Sequence, residues 1–486
     1  MWEKVKTHVF EFDGDIIAFD IHRSRPYLID SVDKAMLRLR PPIDESHTIQ
    51  QLDAHFSVEA INASIQKLRN WRLLIPVGEA LLDKPKESAY PKVTHLELNI
   101  AEDCNLRCAY CCVGQGGFGA DKNNGRTRGK MDWEIVRRSI DLLFKESLDA
   151  PEVHIRFFGG EPLMNWQIIE QSVYFAEEKA NQCGKRVNFS IVTNGVLLDK
   201  HIIEFMGEHN FWVQVSIDGT PQMHDAFRLD VNGQGSYAQA TKNIRLLLET
   251  LTPKNVHARG TITHLKPDVL EAFDHLRGLG FIAPELRPVT GHNPNYGMTI
   301  DDYLRYNEGL SVLARRLLES KPGEAGQYKA IFTPYLTLLT SKATRRPPCG
   351  AGRNMIGVSI DGSILPCTDM VGKDQEALQF GDVNSGLRGD TKQHFLEIVD
   401  VENKIGCRNC WARYLCGGAC ASVELGNEGG LDRNAGLECI WIRHVIELSI
   451  WLYVKMCAER PDLFYELYER DFKVDWGPLA EIISTG

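Results

Sequence analysis

Between residues 92 and 300 short apolar runs alternate with helical stretches, and this alternation restricts the fold of the chain more than any other feature. The strand candidates are His95–Ile100, Val153–Phe158, Asn188–Thr193, Trp212–Ile217, His257–Thr263 and Glu285–Val289. The helices expected between them are Asp132–Ser147, Asn165–Cys183, Asp199–His209, Tyr237–Leu251 and Pro267–Leu279. Strands that alternate with helices pair in parallel through right-handed crossovers, which predicts an α/β fold with a partial barrel of about six βα units. Ligands of such barrels gather at the carboxyl ends of the strands.

The loop after the first strand holds Cys104, Cys108 and Cys111, a CxxxCxxC pattern with Tyr110 before its last cysteine. Three thiolates can hold three irons of a four-iron cluster and leave the fourth without a protein ligand. Zinc is the competing reading, but a structural zinc site takes four ligands, and the adjoining Cys112 is awkwardly placed to share them.

Composition narrows the rest. The 486 residues are too many for one core, and the net charge of −10 opposes a nucleic-acid partner, which needs basic surface to neutralise phosphate. No apolar run approaches a membrane span, and Met-Trp-Glu-Lys-Val-Lys does not read as a signal peptide, so a cytoplasmic protein is expected. Thirteen cysteines in a reducing compartment point to metal and not to disulfides.

The CxxxCxxC loop resembles the signature of radical S-adenosylmethionine (SAM) enzymes. Phe158-Gly159-Gly160-Glu161-Pro162, one βα unit later, resembles the family's GGEP motif, which holds the amino group of SAM. The resemblance implies that SAM chelates the open iron and that Cys104, Cys108 and Cys111 hold the other three. It further implies SAM contacts from Asn194, Ser216 and Asp218 at later strand ends, with Arg228 as the partner of the SAM carboxylate and Arg259 as its rival. The competing reading of each of these polar residues is an ordinary turn or capping residue.

Residues 1–82 read as a separate small unit. His8–Phe12 and Ile16–Asp20 flank Asp13-Gly14, a hairpin signal, and helical patterns follow at Ser31–Arg40, Ile49–His55 and Val58–Trp71 before a closing run, Leu73–Ile75. This order resembles the winged-helix peptide-recognition domain of enzymes that modify ribosomally made peptides, in which a leader peptide adds as a strand to a sheet edge. Polar residues 83–91 read as a linker. Residues 301–345, with helices expected at Asp301–Glu319 and Tyr328–Thr340, read as a bridge, and no titratable residue there stands out as a catalytic base.

Residues 346–445 bring seven more cysteines: Cys349, Cys367, Cys407, Cys410, Cys416, Cys420 and Cys439. Their order resembles the SPASM domain, a cluster-bearing extension of radical SAM enzymes that act on peptides and proteins. The family pattern assigns Cys407, Cys410, Cys416 and Cys439 to an outer auxiliary cluster, and Cys349, Cys367 and Cys420 to an inner one with a vacant corner. Soft sulfur suits such a corner, so a substrate thiolate is expected there. Cys112 or Cys183 could instead fill it, and Cys457 reads as a small buried hydrophobe. The tail, 446–486, is expected to be helical and to pack on this domain.

The whole resembles the thioether-forming peptide maturases, a group that includes the SCIFF maturases and the maturation enzyme of quinohemoprotein amine dehydrogenase. That resemblance implies three 4Fe-4S clusters, SAM, a ribosomal peptide or small protein subunit as substrate, and a reductant such as flavodoxin or ferredoxin. Other SPASM reactions (carbon–carbon cross-linking, epimerisation, formylglycine formation) and a non-catalytic iron–sulfur carrier are the alternatives.

Overall fold

The computed structural model describes residues 1–79, 92–114, 129–291, 293–372, 378–426 and 436–468; the linker read at 83–91 and residues 469–486 of the tail lie outside these. The first five strands, β1 (Trp2–Lys4), β2 (Thr7–Phe12), β3 (Asp15–Asp20), β4 (Arg25–Ile29) and β5 (Leu74–Pro76), belong to the N-terminal unit. Asp13 and Gly14 take φ of 54° and 84°. Both values match the tight turn whose twist suits a hairpin, and they set the antiparallel register from Thr7 opposite Asp20 to Phe12 opposite Asp15. β4 extends this sheet beyond β3, and β1 pairs with β5, so the closing run Leu73–Ile75 finds its partner at the start of the chain. Helices Ser31–Arg38, Glu45–Leu52 and Val58–Asn70 begin on Asp30, Asp44 and Ser57, whose side chains accept hydrogen bonds from first-turn N–H groups.

The central sheet starts with β6 (His95–Ala101), β7 (Glu152–Gly159), β8 (Arg186–Thr193), β9 (Trp212–Ser216), β10 (Val256–Ile262) and β11 (Glu285–Pro288), every neighbouring pair parallel. A seventh parallel strand, β12 (Met355–Val358), joins the free side of β6 in register from Met355 beside His95 to Val358 beside Leu98. The short antiparallel strands β13 (Ser363–Leu365), β14 (Gly381–Asp382) and β15 (Gly386–Leu387) continue from it. The helices between the barrel strands include Trp133–Glu146, Trp166–Cys183 and Lys200–Glu208.

Successive strand residues point to opposite faces, which gives the barrel its two linings. Leu96, Leu98 and Ile100 are fully buried in the apolar core shared with the helices. His95, Glu97 and Asn99 form the other file, and His95 and Glu97 line a cavity of about 300 Å³ together with His154, Arg156, Gln214 and His257.

The helix Glu438–Glu459 runs unbroken across position 445 and carries Cys439 in its first turn. It packs chiefly on the bridge helices Ile300–Leu318 and Lys329–Ser341 and on its successor Pro461–Tyr468, and also reaches β2 and β4. It also meets the cysteine-rich segment at Arg413–Cys416, as expected, but most of its packing lies elsewhere. The physical reason is that Ile446, Leu448, Ile450, Trp451, Leu452 and Val454 cover every side of the helix, so it needs neighbours all round.

Candidate functional site

The cysteine loop leaves the carboxyl end of β6 and is fastened to residues 227–229. The Arg107 N–H donates to Leu229 O at 2.7 Å and the Ala109 N–H to Phe227 O at 3.1 Å. Burial, with Glu161 and the other two thiols adding to it, pushes the Cys104 thiol up to about 12. Burial likewise pushes Cys108 up to about 11 and raises Cys111. Three partly buried thiols that oppose one another's ionisation are compensated only by a cation, and the thiolate is the form that binds iron. This donor set therefore fits a metal cluster.

The turn after β7 locks onto this loop. Gly159 has φ of 146°, and a Cβ there would fall 2.3 Å from Ala101 O. A Cβ on Gly160 would fall 2.3 Å from Asp103 O. The two glycines let the turn lie against the loop backbone, where the Gly160 N–H donates to Ala101 O at 2.8 Å and the Glu161 N–H to Asp103 O at 2.9 Å. Glu161 is buried beneath, accepting from Leu163 N–H at 3.2 Å, Thr193 Oγ1 at 2.8 Å and Asn194 N–H at 2.8 Å. Burial outweighs these donors and lifts its carboxyl to about 7. Pro162 opens the short 3₁₀ turn that follows. Asn194 donates from Nδ2 to Asn105 Oδ1 at 2.8 Å and approaches Cys104 Sγ at 3.7 Å. The structure thus gathers Cys104, Gly159, Gly160, Glu161, Pro162 and Asn194 at one point.

Asp218 and Arg228 form a second, adjoining group. The Arg228 guanidinium donates to Asp218 from Nε at 2.9 Å and Nη2 at 3.1 Å, and lies 5.4 Å from the centroid of the Tyr110 ring. Asp218 also accepts from the Thr261 N–H at 2.9 Å and from the Tyr110 hydroxyl. The residue expected at a SAM carboxylate is thus held by a carboxylate of the chain. Ser216 closes β9 in register with Arg259, and Arg259 pairs at 2.5 Å with Glu285 deeper in the barrel.

The later cysteines fall into two sets. Cys349, Cys367 and Cys420 lie within electrostatic reach of one another, beside Glu97 and Asp369. Cys407, Cys410, Cys416 and Cys439 form the other set. β12 and β13 connect Cys349 to Cys367, and Gly357 gives the close approach: a Cβ there would fall 2.5 Å from the Cys367 carbonyl carbon. No disulfide links any of the thirteen cysteines. Among the described residues no three His, Cys, Asp or Glu side chains converge tightly enough to hold a single metal ion. Cys112 is exposed beside the first loop, Cys183 is exposed at the amino-end side of the sheet, and Cys457 is buried in the helix Glu438–Glu459.

The sequence reading missed the lumen. Glu97 accepts from Arg156 at 3.2 Å on one side, and on the other from the Thr368 N–H at 3.2 Å and Thr368 Oγ1 at 2.9 Å. His95 stacks on His154 at 5.2 Å, and Trp212 stacks on His257 at 5.2 Å. The signal was present in the strands: polar residues at every second position, as in His95-Leu-Glu97-Leu-Asn99 and His154-Ile-Arg156, mark a wet inner face.

Residues 98–274 match the family model described as Radical SAM superfamily. An uncharacterized protein of Methanocaldococcus jannaschii is 33% identical over 153 residues, 32% of this chain and 48% of that protein, so the chain spans about half the length of this relative. A cysteine-type anaerobic sulfatase-maturating enzyme of Clostridium novyi is 26% identical over 340 residues, 66% of this chain and 85% of the enzyme. The solved structure of native anSMEcpe with bound AdoMet and Cp18Cys peptide superposes with a TM-score of 0.61 at 18% identity, covering 75% of this chain and 99% of that one, a likeness of fold. The protein has the radical SAM α/β fold, a parallel sheet curved into a partial barrel, and the match over residues 98–274 implies a 4Fe-4S cluster and SAM.

Proposed function

We propose that the chain is a radical SAM enzyme that modifies a peptide or small protein, and that it joins a cysteine sulfur of that substrate to one of the substrate's carbons as a thioether. When bound, the cluster and SAM supply a 5′-deoxyadenosyl radical able to take a hydrogen atom from an unactivated carbon. The observation that carries the reading is the position of Glu97. This residue of the first barrel strand lines the cavity and holds Thr368, the neighbour of Cys367, so the second three-cysteine set is fastened to the strand that leads into the first.

Cys104, Cys108 and Cys111 would hold the first cluster, with Gly159, Gly160, Glu161, Pro162, Asn194, Ser216, Asp218 and Arg228 around SAM. Cys349, Cys367 and Cys420 would hold an inner SPASM cluster with one corner open to a substrate thiolate. Cys407, Cys410, Cys416 and Cys439 would hold an outer one. Thioether formation removes one C–H and one S–H bond and makes one C–S bond. One hydrogen atom, one proton and one electron leave, and the electron needs an acceptor close to the lumen. A primary carbon radical attacks whatever C–H bond is nearest, so the reaction requires that stray hydrogen donors be kept from the site. In the N-terminal unit, β4 has β3 as its hydrogen-bonded strand neighbour and offers an edge to which a leader segment can add.

Anaerobic reconstitution tests the cofactor reading: about twelve irons per chain are expected, with SAM cleaved to 5′-deoxyadenosine on reduction. Mass analysis of a co-expressed cysteine-containing peptide tests the chemistry, since each thioether removes two hydrogens. A peptide left at its starting mass while SAM is cleaved would rule the thioether out. The second reading is oxidation of a cysteine or serine, favoured by the match to the sulfatase-maturating enzyme over 85% of that enzyme's length. The N-terminal unit weighs against it, because an oxidation at one residue needs no separate recognition module.

A further inference from the structure

Among the described residues, three guanidiniums face two carboxylates along the strands of the lumen. Arg156 meets Glu97 at 3.2 Å, while Arg259 and Arg287 meet one and the same oxygen, Glu285 Oε1, at 2.5 and 2.7 Å. One carboxylate balances one guanidinium, so this group holds one cation more than it holds anions. Burial keeps His95, His154 and His257 below the ordinary imidazole range, and near neutral pH they add no charge. The excess is shared, because Arg259 lies within electrostatic reach of both Arg156 and Arg287. On a chain of net charge −10, a cation left over in an enclosed space costs stability until an anion meets it, and it draws anions in.

Strand register says where that anion would lie. Arg287 pairs across β10 and β11 with Thr261, whose N–H is held by Asp218 beside the first cysteine loop. Arg156 pairs across β6 and β7 with Glu97, whose other oxygen holds Thr368 beside Cys367. The side chains of Arg287, Arg259 and Arg156 keep 47%, 34% and 34% of their surface exposed, and Arg156 and Glu285 line the cavity. The accessible cations thus sit on strands tied to both three-cysteine sets. SAM does not supply the anion, since its sulfonium and ammonium outnumber its one carboxylate. A carboxylate matches the planar fork of a guanidinium through two parallel hydrogen bonds.

We propose that Arg287, with Arg259 and Arg156, binds a carboxylate of the peptide substrate, supplied by an aspartate or glutamate side chain close to the cysteine that is modified. The inference rests on the peptide-modifying reading of the site and adds the class of peptide, one whose modified stretch is acidic.

The test is selection, on the cluster-loaded enzyme with SAM bound, from a synthetic library of short peptides with one fixed cysteine, random flanking residues and blocked ends. Retained peptides should carry Asp or Glu near the cysteine about 10- to 100-fold more often than Asn or Gln, as hydrogen bonds between charged groups imply. Arg287→Met should bring that ratio to within about twofold of unity. Arg287→Lys keeps the charge without the fork and should restore part of it. Because Arg287→Met leaves Glu285 matched to Arg259 alone, the cluster-free variant should unfold at or above the wild-type temperature; a marked drop would show a structural role and overturn the proposal. Equal retention of acids and amides by wild type would overturn it too, as would a preference that survives Arg287→Met, or a matching loss of SAM affinity in that variant. A companion library with free carboxyl ends separates the sources, and retention that follows the chain end in place of Asp or Glu also overturns it. Failure of the peptide-modifying reading looks different: wild type would then retain neither library.

Discussion

The imidazole of His8 lies flat on the indole of Trp411, with ring centroids 3.8 Å apart and planes 3° from parallel, while its Nε2 is 2.7 Å from Glu447 Oε1. One side chain of the N-terminal hairpin thus touches the segment between Cys410 and Cys416 and the helix that begins beside Cys439. Stacked aromatic pairs contribute about 0.5–1.5 kcal/mol beyond their buried area. Trp411→Ala should therefore raise hydrogen exchange in Thr7–Phe12 and Asp15–Asp20 while leaving β6 to β8 protected. A His8→Ala, Trp411→Ala double-mutant cycle should return a coupling in that range. Additive single effects would show that the hairpin is held by its other contacts, such as Trp451 Nε1 on Asp15 at 2.9 Å.

Asp218 and Arg228 are both buried, so removing one partner strands the other's charge. Asp218→Asn or Arg228→Met alone should cost about 3–5 kcal/mol in the cluster-free protein. The double variant should recover most of that, because a neutral pair of similar volume leaves no lone charge. Thermal or urea unfolding of the four proteins decides it. Equal losses in single and double variants would mean that Tyr110 and Thr261, and not the ion pair, carry the local stability.

Glu161 predicts a pH dependence. Its carboxyl is raised from an ordinary 4.5 to about 7 by burial, so between these values the folded chain keeps a proton that the unfolded chain has lost. Its stabilising contribution is fully present below about pH 4.5 and is lost as pH rises through 7, a change on the order of 3 kcal/mol. Glu161→Gln has no proton to lose. The stability difference between variant and wild type should grow in the variant's favour from pH 5 to pH 8, and a difference that stays constant would contradict the shift.

The parts of this architecture written in local residue order were legible, and those made by distant partners were not. The six barrel strands follow from apolar periodicity, and each was found within two residues of its observed ends. The hairpin followed from Asp13-Gly14. β4 was missed because Pro26 sits inside it, which in sequence argues against a strand, although an edge position tolerates proline. β1 has only three residues and takes its meaning from β5, seventy residues away. At the site, cysteine spacing exposed the thiol sets, and the glycines exposed the turn. The bond of Arg228 to Asp218 was hidden because a guanidinium serves a buried carboxylate of its own chain as well as one on a ligand.

β12, another strand that apolar periodicity does not reveal, makes the sharpest prediction. β12 carries Gly357, and a Cβ there would fall 2.5 Å from the carbonyl carbon of Cys367 and 2.6 Å from Thr368 N. Backbone atoms cannot swing aside as a flexible side chain can, so Gly357→Ala must push the Cys367 turn away from β6 and loosen the hold of Glu97 on Thr368. The overpacking should cost about 1–3 kcal/mol. The three atoms nearest that Cβ all belong to Cys367 and Thr368, so the cysteine loop after β6 should be untouched. If Cys349, Cys367 and Cys420 hold a cluster, the variant should reconstitute with about eight irons in place of about twelve. It should still bind SAM and cleave it when reduced, while thioether formation disappears. Full iron with the cross-link lost would place the defect in substrate positioning. Loss of SAM cleavage together with the iron would show that the two three-cysteine sets stand or fall as one.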